Sequence, residues 1–249
     1  MFDVVSLFHA PANSPLHTVS GAYELLRSLA QWLGNKDPLL SKWYLSGGRS
    51  AEESLRYQAF VDEVNGHTAC LAVLEQQAKK RGEVGVFLWN GEEAMETGAA
   101  LNILMSSGPF TSKLALSLGG AVSKPRIGDY EDTAEFLRML VCATEPECAF
   151  VYHESGYGNK QTFEDRPGVG WMLYLPRVLT VQDVPEARAL LAVVDGKVRL
   201  GTIIVSVTDA VFDLNNLAHL KIARDIETRL VSQDMLPTWT QMVRQLPQS

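Results

Sequence analysis

The sequence predicts an α+β fold, with one or more antiparallel β-sheets and flanking helices in a single compact domain over residues 1–249. Helix-type apolar patterns flank two blocks of short apolar runs. Those runs are separated by tight-turn dipeptides such as Asn90-Gly91, which typically join neighbouring antiparallel strands. No repeat, low-complexity tract or charged linker divides the chain, and this favours one domain over two.

Helical patterns dominate the first eighty residues, after an initial strand at residues 2–8. Apolar side chains then recur at spacings of three and four, which places them on one face of a helix that Gly34 and Asn35 are expected to end. These positions are Leu25, Leu26, Leu29, Ala30 and Leu33. Ser50 predicts the start of a second helix, and a third is predicted from Thr68 to Lys80, where basic residues favour a helix C-terminus.

The apolar period then shortens, which indicates strands. Runs at residues 84–89, 99–105 and 114–118 are separated by turn signals at 90–91 and 108–109. Strands joined in this way pair with their neighbours in the chain, so we expect an antiparallel meander.

The second half of the chain alternates between helix and strand signals. Asp129 is a favourable N-cap for a helix, and a later helix is predicted from Asn216 to Val231. Strands are predicted at residues 149–152, 171–175, 187–194 and 200–207, the last two joined by Asp195-Gly196. Pro237 precedes a short predicted C-terminal helix.

Composition and charge exclude several classes of protein. The chain has 22 Lys and Arg residues against 29 Asp and Glu residues, a formal net charge of −7 with His neutral. Proteins that bind nucleic-acid phosphates present a basic patch, so we expect no nucleic-acid partner and, instead, a basic protein partner. No apolar run approaches the roughly 18 residues of a membrane span, and the N-terminus lacks the basic region of a signal peptide. We therefore expect a cytoplasmic protein with no membrane partner.

The sequence lacks the local motifs of common catalytic and cofactor sites. There is no G-x-S-x-G, no G-x-x-x-x-G-K-[ST] and no H-E-x-x-H, and the five histidines lie far apart. The three cysteines match no disulfide, zinc or redox spacing. Cys148 and His153 are close enough in sequence to be considered as a nucleophile pair, but nothing local supports it. We therefore expect no enzymatic activity, no metal and no cofactor.

The candidate binding residues are acidic and aromatic. Acids cluster after the turn at 90–91 and at the predicted helix start near 129, and the long loop at 154–168 carries both types. Aromatic residues beside polar rims are typical of binding hot spots. The candidates are Glu92, Glu93, Glu96, Asp129, Glu131, Asp132, Tyr157, Phe163, Glu164 and Asp165.

Two alternatives stay open for these residues. The acids near 129 are also what a helix N-terminus favours, since its dipole attracts negative charge. A loop as long as 154–168 is typically functional or disordered, and one of its aromatic residues could pack back onto the core.

Three segments of the chain resemble a known family. They are KWYLSG (42–47) with AEESLRYQAF (51–60), GVGWMLYLPR (168–177) with VPEAR (184–188), and GTIIVSVTD (201–209) with the helix that runs to Leu236-Pro237. Together they resemble the immunity protein 52 family of bacterial polymorphic toxin systems, over about residues 20–237.

The resemblance implies a non-enzymatic antitoxin. It implies a cognate nuclease toxin with a restriction-endonuclease-like domain, commonly delivered by the type VI secretion system, and protection of the producer and its siblings in the cytoplasm. A nuclease presents a basic cleft to its substrate, so an acidic binder is complementary to it. The binder would either cover the cleft or block assembly of the active toxin.

Two other functions remain as alternatives. The first is a hydrolase that uses the long loop as a lid over a pocket where His153, Glu154 and another acid converge. The second is a secretion chaperone or adaptor that holds the toxin for loading. Only the fate of the complex separates the chaperone from an antitoxin, since a chaperone leaves the toxin active after release.

Overall fold

The fold is built on one antiparallel sheet of ten strands. We describe it in a computed structural model that covers residues 2–46, 50–61, 64–120, 126–152 and 154–244, with the backbone alone at 64–68 and 154–155. The strands are β1 (Phe2–Phe8), β2 (Trp43–Leu45), β3 (Gln58–Ala59), β4 (Gly85–Trp89), β5 (Ala99–Leu104), β6 (Ser112–Leu118), β7 (Cys148–Tyr152), β8 (Met172–Leu175), β9 (Ala189–Asp195) and β10 (Val198–Val205). Their order is β3-β2-β4-β5-β6-β1-β7-β8-β10-β9.

Helices connect these strands and lie against the sheet. They are α1 (Val19–Lys36), α2 (Ala51–Ser54), α3 (Val64–Arg81), α4 (Tyr130–Thr144), α5 (Glu154–Tyr157) and α6 (Leu217–Ser232), with 3-10 turns at Pro15–His17 and Pro38–Leu40. The α+β prediction with an antiparallel sheet is confirmed. The meander is confirmed as β4-β5-β6. The strands β2 and β3 were not predicted, because three and two residues are too few to show a period.

One face of the sheet is covered by α1, α3 and α4. The hydroxyls of Ser6 in β1 and Thr144 in α4 lie 2.8 Å apart. The ring of Trp32 in α1 packs on Phe136 in α4, with centroids 5.4 Å apart. The strand registers align the buried side chains of this face, which include Val4, Val86, Leu88, Leu101, Ile103, Leu114, Leu116 and Val151. Antiparallel partners place their side chains on the same face, so this row forms a continuous apolar layer under the helices.

The N-terminal strand β1 lies in the middle of the sheet. It pairs with β6 on one side and with β7 on the other, so it joins the strands of the two halves of the chain. Val4 and Val5 point to opposite faces and are both buried, which means that both faces of β1 are covered.

The predicted end of the first helix at Gly34 is wrong. The helix continues to Lys36, and the backbone N–H of Asp37 closes it by donating to the Leu33 carbonyl at 3.0 Å. Gly34 instead permits a close approach, since a Cβ at this position would lie 3.2 Å from the Cα of Ser41. The glycine reflects packing against the next segment rather than a helix stop.

The predicted C-terminal helix is also wrong over the described residues after Pro237, which form turns. Their backbone groups bond to distant segments. The N–H of Trp239 donates to the Asp165 carbonyl, His9 bonds to the Met242 carbonyl, and the N–H of Arg244 donates to the Pro109 carbonyl. The local bonds close only turns, such as the one that the Met242 N–H donates to the Thr238 carbonyl at 3.3 Å, and the tertiary bonds satisfy other backbone groups of the segment.

The hairpin predicted at Asp195-Gly196 is confirmed as the β9–β10 connection, with a shift of one position. Asp195 pairs with Val198, so Gly196 and Lys197 are the two loop residues. Gly196 has a φ of +57°, a conformation that glycine adopts without strain at the first position of such a loop.

A buried carboxylate ties α6 to the segment that follows α5. Glu227 is 1% exposed. Its Oε1 accepts hydrogen bonds from the Tyr157 hydroxyl at 2.5 Å and the Val169 N–H at 3.0 Å, and its Oε2 accepts one from the Thr162 N–H at 2.7 Å. A carboxylate can be buried at tolerable cost only when it is hydrogen-bonded in this way. The segment is therefore held against the body of the protein.

The variant Tyr157→Phe tests this network. Glu227 would stay buried with one donor fewer, so we expect the free energy of unfolding at pH 7 to fall by about 1–3 kcal/mol in urea titrations. Tyr57→Phe is the control, because Tyr57 is 38% exposed and its change should be close to neutral. Equal stability of Tyr157→Phe and the wild type would show that the bond contributes nothing.

The difference in stability between the wild type and Tyr157→Phe should depend on pH. Burial raises the pKa of Tyr157 above its ordinary value of 10.0, and the charge and hydrogen bond of the neighbouring Glu227 raise this pKa further. A raised pKa in the folded state means that this stabilisation is present below the unfolded pKa and is lost as the pH rises above about 10. Wild-type stability should therefore fall toward that of Tyr157→Phe between about pH 10 and 11, and a constant gap would contradict the assignment.

Candidate partner-binding surface

Six of the predicted contact residues lie at one end of the sheet. One group sits in the loop 90–98 between β4 and β5, and the other sits at the start of α4. We call these residues the acidic end: Glu92, Glu93, Glu96, Asp129, Glu131 and Asp132. The two groups are more than thirty positions apart in the sequence, and both adjoin the C-terminus of α1, where Lys36 and Asp37 lie.

An arginine that the sequence analysis did not single out fastens the loop to α1. The Nε of Arg126 donates to the Asp37 carboxylate at 2.6 Å, and its Nη1 donates to the carbonyls of Thr97 and Gly98 at 2.8 and 3.0 Å. The Arg126 and Asp37 side chains are only 11% and 15% exposed, so this ion pair is largely screened from water. No local motif marks Arg126. Asp37 caps the 3-10 turn at Pro38–Leu40 by accepting the Leu39 N–H at 2.9 Å, but this local role does not indicate its distant partner.

Asn90 holds the other side of the loop. Its side-chain amide donates to the carbonyls of Leu39 and Thr97 at 3.1 and 2.9 Å, and its Oδ1 accepts from the Ala99 N–H at 2.8 Å. Asn90 is 5% exposed. Asn90 therefore stabilises a longer loop and does not form a two-residue hairpin turn.

The carboxylates of the acidic end differ in whether they already form hydrogen bonds or ion pairs within the chain. Asp129 caps α4 by accepting the N–H groups of Glu131 and Asp132 at 2.9 and 3.2 Å, so the N-cap alternative is confirmed. Asp132 is paired with Lys36 at 2.5 Å. Glu131 accepts a hydrogen bond from the Tyr130 hydroxyl, and this bond raises the pKa of Tyr130.

The tip of the loop combines charge with an exposed apolar side chain. Glu92, Glu93 and Glu96 are all exposed, and Glu92 accepts a bond from the Thr97 hydroxyl at 3.2 Å. Met95 stands among them with 75% of its surface exposed. An apolar centre with a polar rim is the usual composition of a protein–protein contact.

The remaining predicted residues lie elsewhere, between α5 and the C-terminal segment. Phe163 is half-buried, with the Arg166 guanidinium 5.7 Å from its ring centroid. Glu164 and Asp165 are exposed, and their carbonyls accept hydrogen bonds from Trp239. Arg166 also bonds the Asp165 carboxylate and lowers its pKa. These residues form a second acidic group, fixed by the C-terminal segment.

The prediction that Tyr157 anchors a partner has to be corrected. Its ring is fully buried, packs against Tyr152 and Phe212, and directs its hydroxyl to Glu227. The alternative, in which one aromatic residue of the loop packs on the core, is the one that the structure shows. A surface residue and a core residue look alike in sequence when no periodicity accompanies them.

The groups considered for catalysis do not assemble into a site among the described residues. Cys148 is fully buried, and burial raises the pKa of its thiol to about 12, so the nucleophilic thiolate is not populated at neutral pH. His153 lies outside the described residues, and so does the side chain of Glu154, which the hydrolase alternative needs.

In the part of the chain that the structure covers, no three His, Cys, Asp or Glu residues are placed to bind a metal. No helix in that part is long and apolar enough to cross a membrane.

The variant Arg126→Ala tests how the acidic end is held. The Asp37 carboxylate and two loop carbonyls would each lose one of their donors in a largely buried position, so we expect the free energy of unfolding to fall by about 1–3 kcal/mol. Amide hydrogen exchange in residues 90–98 should accelerate at the same time, because the loop loses its attachment to Arg126 and keeps the one to Asn90.

The matched control is Arg138→Ala. Arg138 also bonds a carboxylate, that of Glu135, but its side chain is 45% exposed, so removal should cost less than about 1 kcal/mol. If the two variants lose equal stability and the 90–98 amides keep their exchange rates, the loop does not depend on Arg126.

Comparisons with known proteins agree with the fold and place the chain in a family. The Immunity protein 52 family profile matches residues 18–238. Among solved structures, the chain is similar to the Pseudomonas aeruginosa T6SS protein PA0821, with a TM-score of 0.53 and 12% identity over 90% of this chain and 72% of that chain. An identity this low supports the shared fold alone. No curated protein matches the sequence. Because the family profile spans most of its length, the chain belongs to the immunity protein 52 family.

Proposed function

We propose that this chain is a cytoplasmic antitoxin that binds and neutralises a cognate secreted nuclease toxin with a restriction-endonuclease-like domain. It would act without catalysis, as one domain over residues 1–249, and would protect the producing cell and its siblings. The observation that carries the proposal is the match to the immunity protein 52 family over residues 18–238. We propose further that a type VI secretion system delivers the toxin, as the family resemblance implies; the protein whose fold the chain shares is itself named as a T6SS protein.

Charge favours a nuclease as the partner. A nuclease must present a basic cleft to the phosphate backbone, and this chain carries a net charge of −7. The acidic end offers exposed carboxylates around Met95 on a loop held by Arg126 and Asn90. A preformed, complementary surface speeds encounter and lowers the entropic cost of binding.

We place the primary contact at the acidic end. Glu93, Glu96 and Glu131 are its most available charges, since Asp129 is used as a helix cap and Asp132 is paired with Lys36. The second group, Phe163, Glu164 and Asp165, is a further candidate contact. A standard interface of about 1,600 Å² is large enough to include the acidic end with neighbouring surface.

Co-expression with the cognate nuclease toxin tests the proposal. We expect the chain to restore growth, to co-purify with the toxin and to stop cleavage of DNA or RNA by the purified toxin. Absence of both rescue and co-purification would contradict it. A stable complex whose toxin remains active, or is active on release, would identify a secretion chaperone instead.

Charge reversal tests the acidic end directly. The triple variant Glu92→Lys, Glu93→Lys, Glu96→Lys should slow association with the toxin about tenfold or more at low ionic strength, because electrostatic steering is removed. The difference should shrink at about 0.5 M salt, where the screening length is only a few ångströms. Stopped-flow or surface-based kinetics would measure both rates.

The control for this variant makes the same change in net charge elsewhere. Glu52, Glu75 and Glu147 are exposed and lie outside the acidic end, so replacing these three with Lys should slow association less than the test variant does. Equal slowing by both triple variants would indicate that net charge alone steers binding. A rate that depends on neither salt nor substitution would remove the acidic end from the proposed contact.

A further inference from the structure

The strand β9 leaves one edge of the sheet open. It is the last strand in the sheet order and, among the described residues, pairs only with β10. It is seven residues long and apolar from Ala189 to Val194, with no Lys or Pro in its span. The opposite edge, β3, has only two residues and is in contact with α3. Proteins normally shorten, charge or cover their edge strands, and β9 shows little of this protection.

The register shows which backbone groups face the open edge. The Ser206 N–H donates to the Trp171 carbonyl, so, from Gly201 to Val205, the even-numbered residues of β10 bond toward β8 and the odd-numbered ones toward β9. The β9 partners of those odd-numbered residues are Ala189, Leu191 and Val193. The N–H and C=O groups of Leu190 and Ala192 between them are therefore directed away from β10.

A groove runs between this edge and α4. Its volume is about 370 Å³, and Ala134, Leu191 and Ile203 form its apolar part. Glu131 and Glu135 line the α4 side, where Glu135 is paired with Arg138 at 2.5 Å. Because Glu131 belongs to the acidic end as well, the groove and the acidic end form one continuous surface.

We propose that the toxin adds a β-strand to the open edge of β9, with basic side chains of that strand directed toward Glu131 and Glu135. The backbone groups of Leu190 and Ala192 would supply the main-chain hydrogen bonds, and the groove would accept alternate side chains. This inference rests on the proposed function, because the added strand belongs to the toxin.

Charge favours a basic partner over a second copy of the chain. A second copy would bring its own net charge of −7 and a second set of α4 carboxylates to the same edge. Like charges opposed across an interface weaken association, whereas Lys or Arg side chains beside Glu131 strengthen it.

The variant Ala192→Pro tests strand addition. Proline lacks an N–H, and at this position the lost N–H is one that faces the open edge, so the β9–β10 ladder is retained. We expect at least a tenfold loss of affinity for the toxin's nuclease domain, used with its catalytic carboxylate replaced to make it harmless. Val181→Pro is the control, because Val181 is 65% exposed and lies outside β9 and the groove, so this variant should bind like the wild type. Val181 lies in a turn that the Asp183 N–H closes by donating to the Thr180 carbonyl at 3.0 Å, and a turn of this kind accepts proline.

Amide hydrogen exchange in the wild-type chain provides a test that needs no variant. The amides of Leu190 and Ala192 should exchange fast in the free chain and become protected at least tenfold in the complex with the same nuclease domain. Unchanged exchange at both amides in a saturated complex would overturn the inference while leaving the proposed function intact. A folded Ala192→Pro variant that binds like the wild type would do the same.

Two further outcomes have separate meanings. If the wild-type chain neither binds the nuclease domain nor rescues growth, the proposed function fails and the inference fails with it. If sedimentation shows a wild-type dimer whose Leu190 and Ala192 amides are already protected without toxin, a second copy occupies the edge and strand addition by the toxin is overturned.

Discussion

The pairing of β1 along both of its edges is the constraint on which the rest of the structure depends. A strand buried on both faces must satisfy its backbone N–H and C=O groups through neighbours, since water cannot reach them. Its neighbours are β6 from the first half of the chain and β7 from the second. The N-terminal strand thereby joins the meander to the C-terminal strands in one sheet, and it sets the side on which α1 and α4 pack together.

Two buried or largely buried carboxylates then determine the shape of the surface. Asp37, through Arg126, fixes the loop that displays Glu92, Glu93 and Glu96. Glu227 holds the segment after α5 through three hydrogen bonds. In both cases a charge removed from water organises a loop, because leaving either carboxylate without its donors would cost more than ordering the loop does.

We propose that the acidic end, the groove beside α4 and the open edge of β9 make up one contact surface for a basic partner. Its parts differ in kind: exposed carboxylates speed encounter, whereas an open strand edge contributes main-chain hydrogen bonds and register. A protein that must neutralise one toxin tightly and reject others benefits from both. Membership in an immunity protein family is in keeping with that arrangement.

The sequence by itself determined the features that depend on local chemistry. These were the α+β class, the meander, the hairpin after β9, the cap at Asp129, the acidic balance and the family resemblance. Only the tertiary structure decided the strand order, the central place of β1, the burial of Tyr157 and the roles of Arg126 and Gly34. The physical reason is distance along the chain, because caps and turns are formed by neighbours in sequence, whereas burial, ion pairing and open edges depend on segments that meet only after folding.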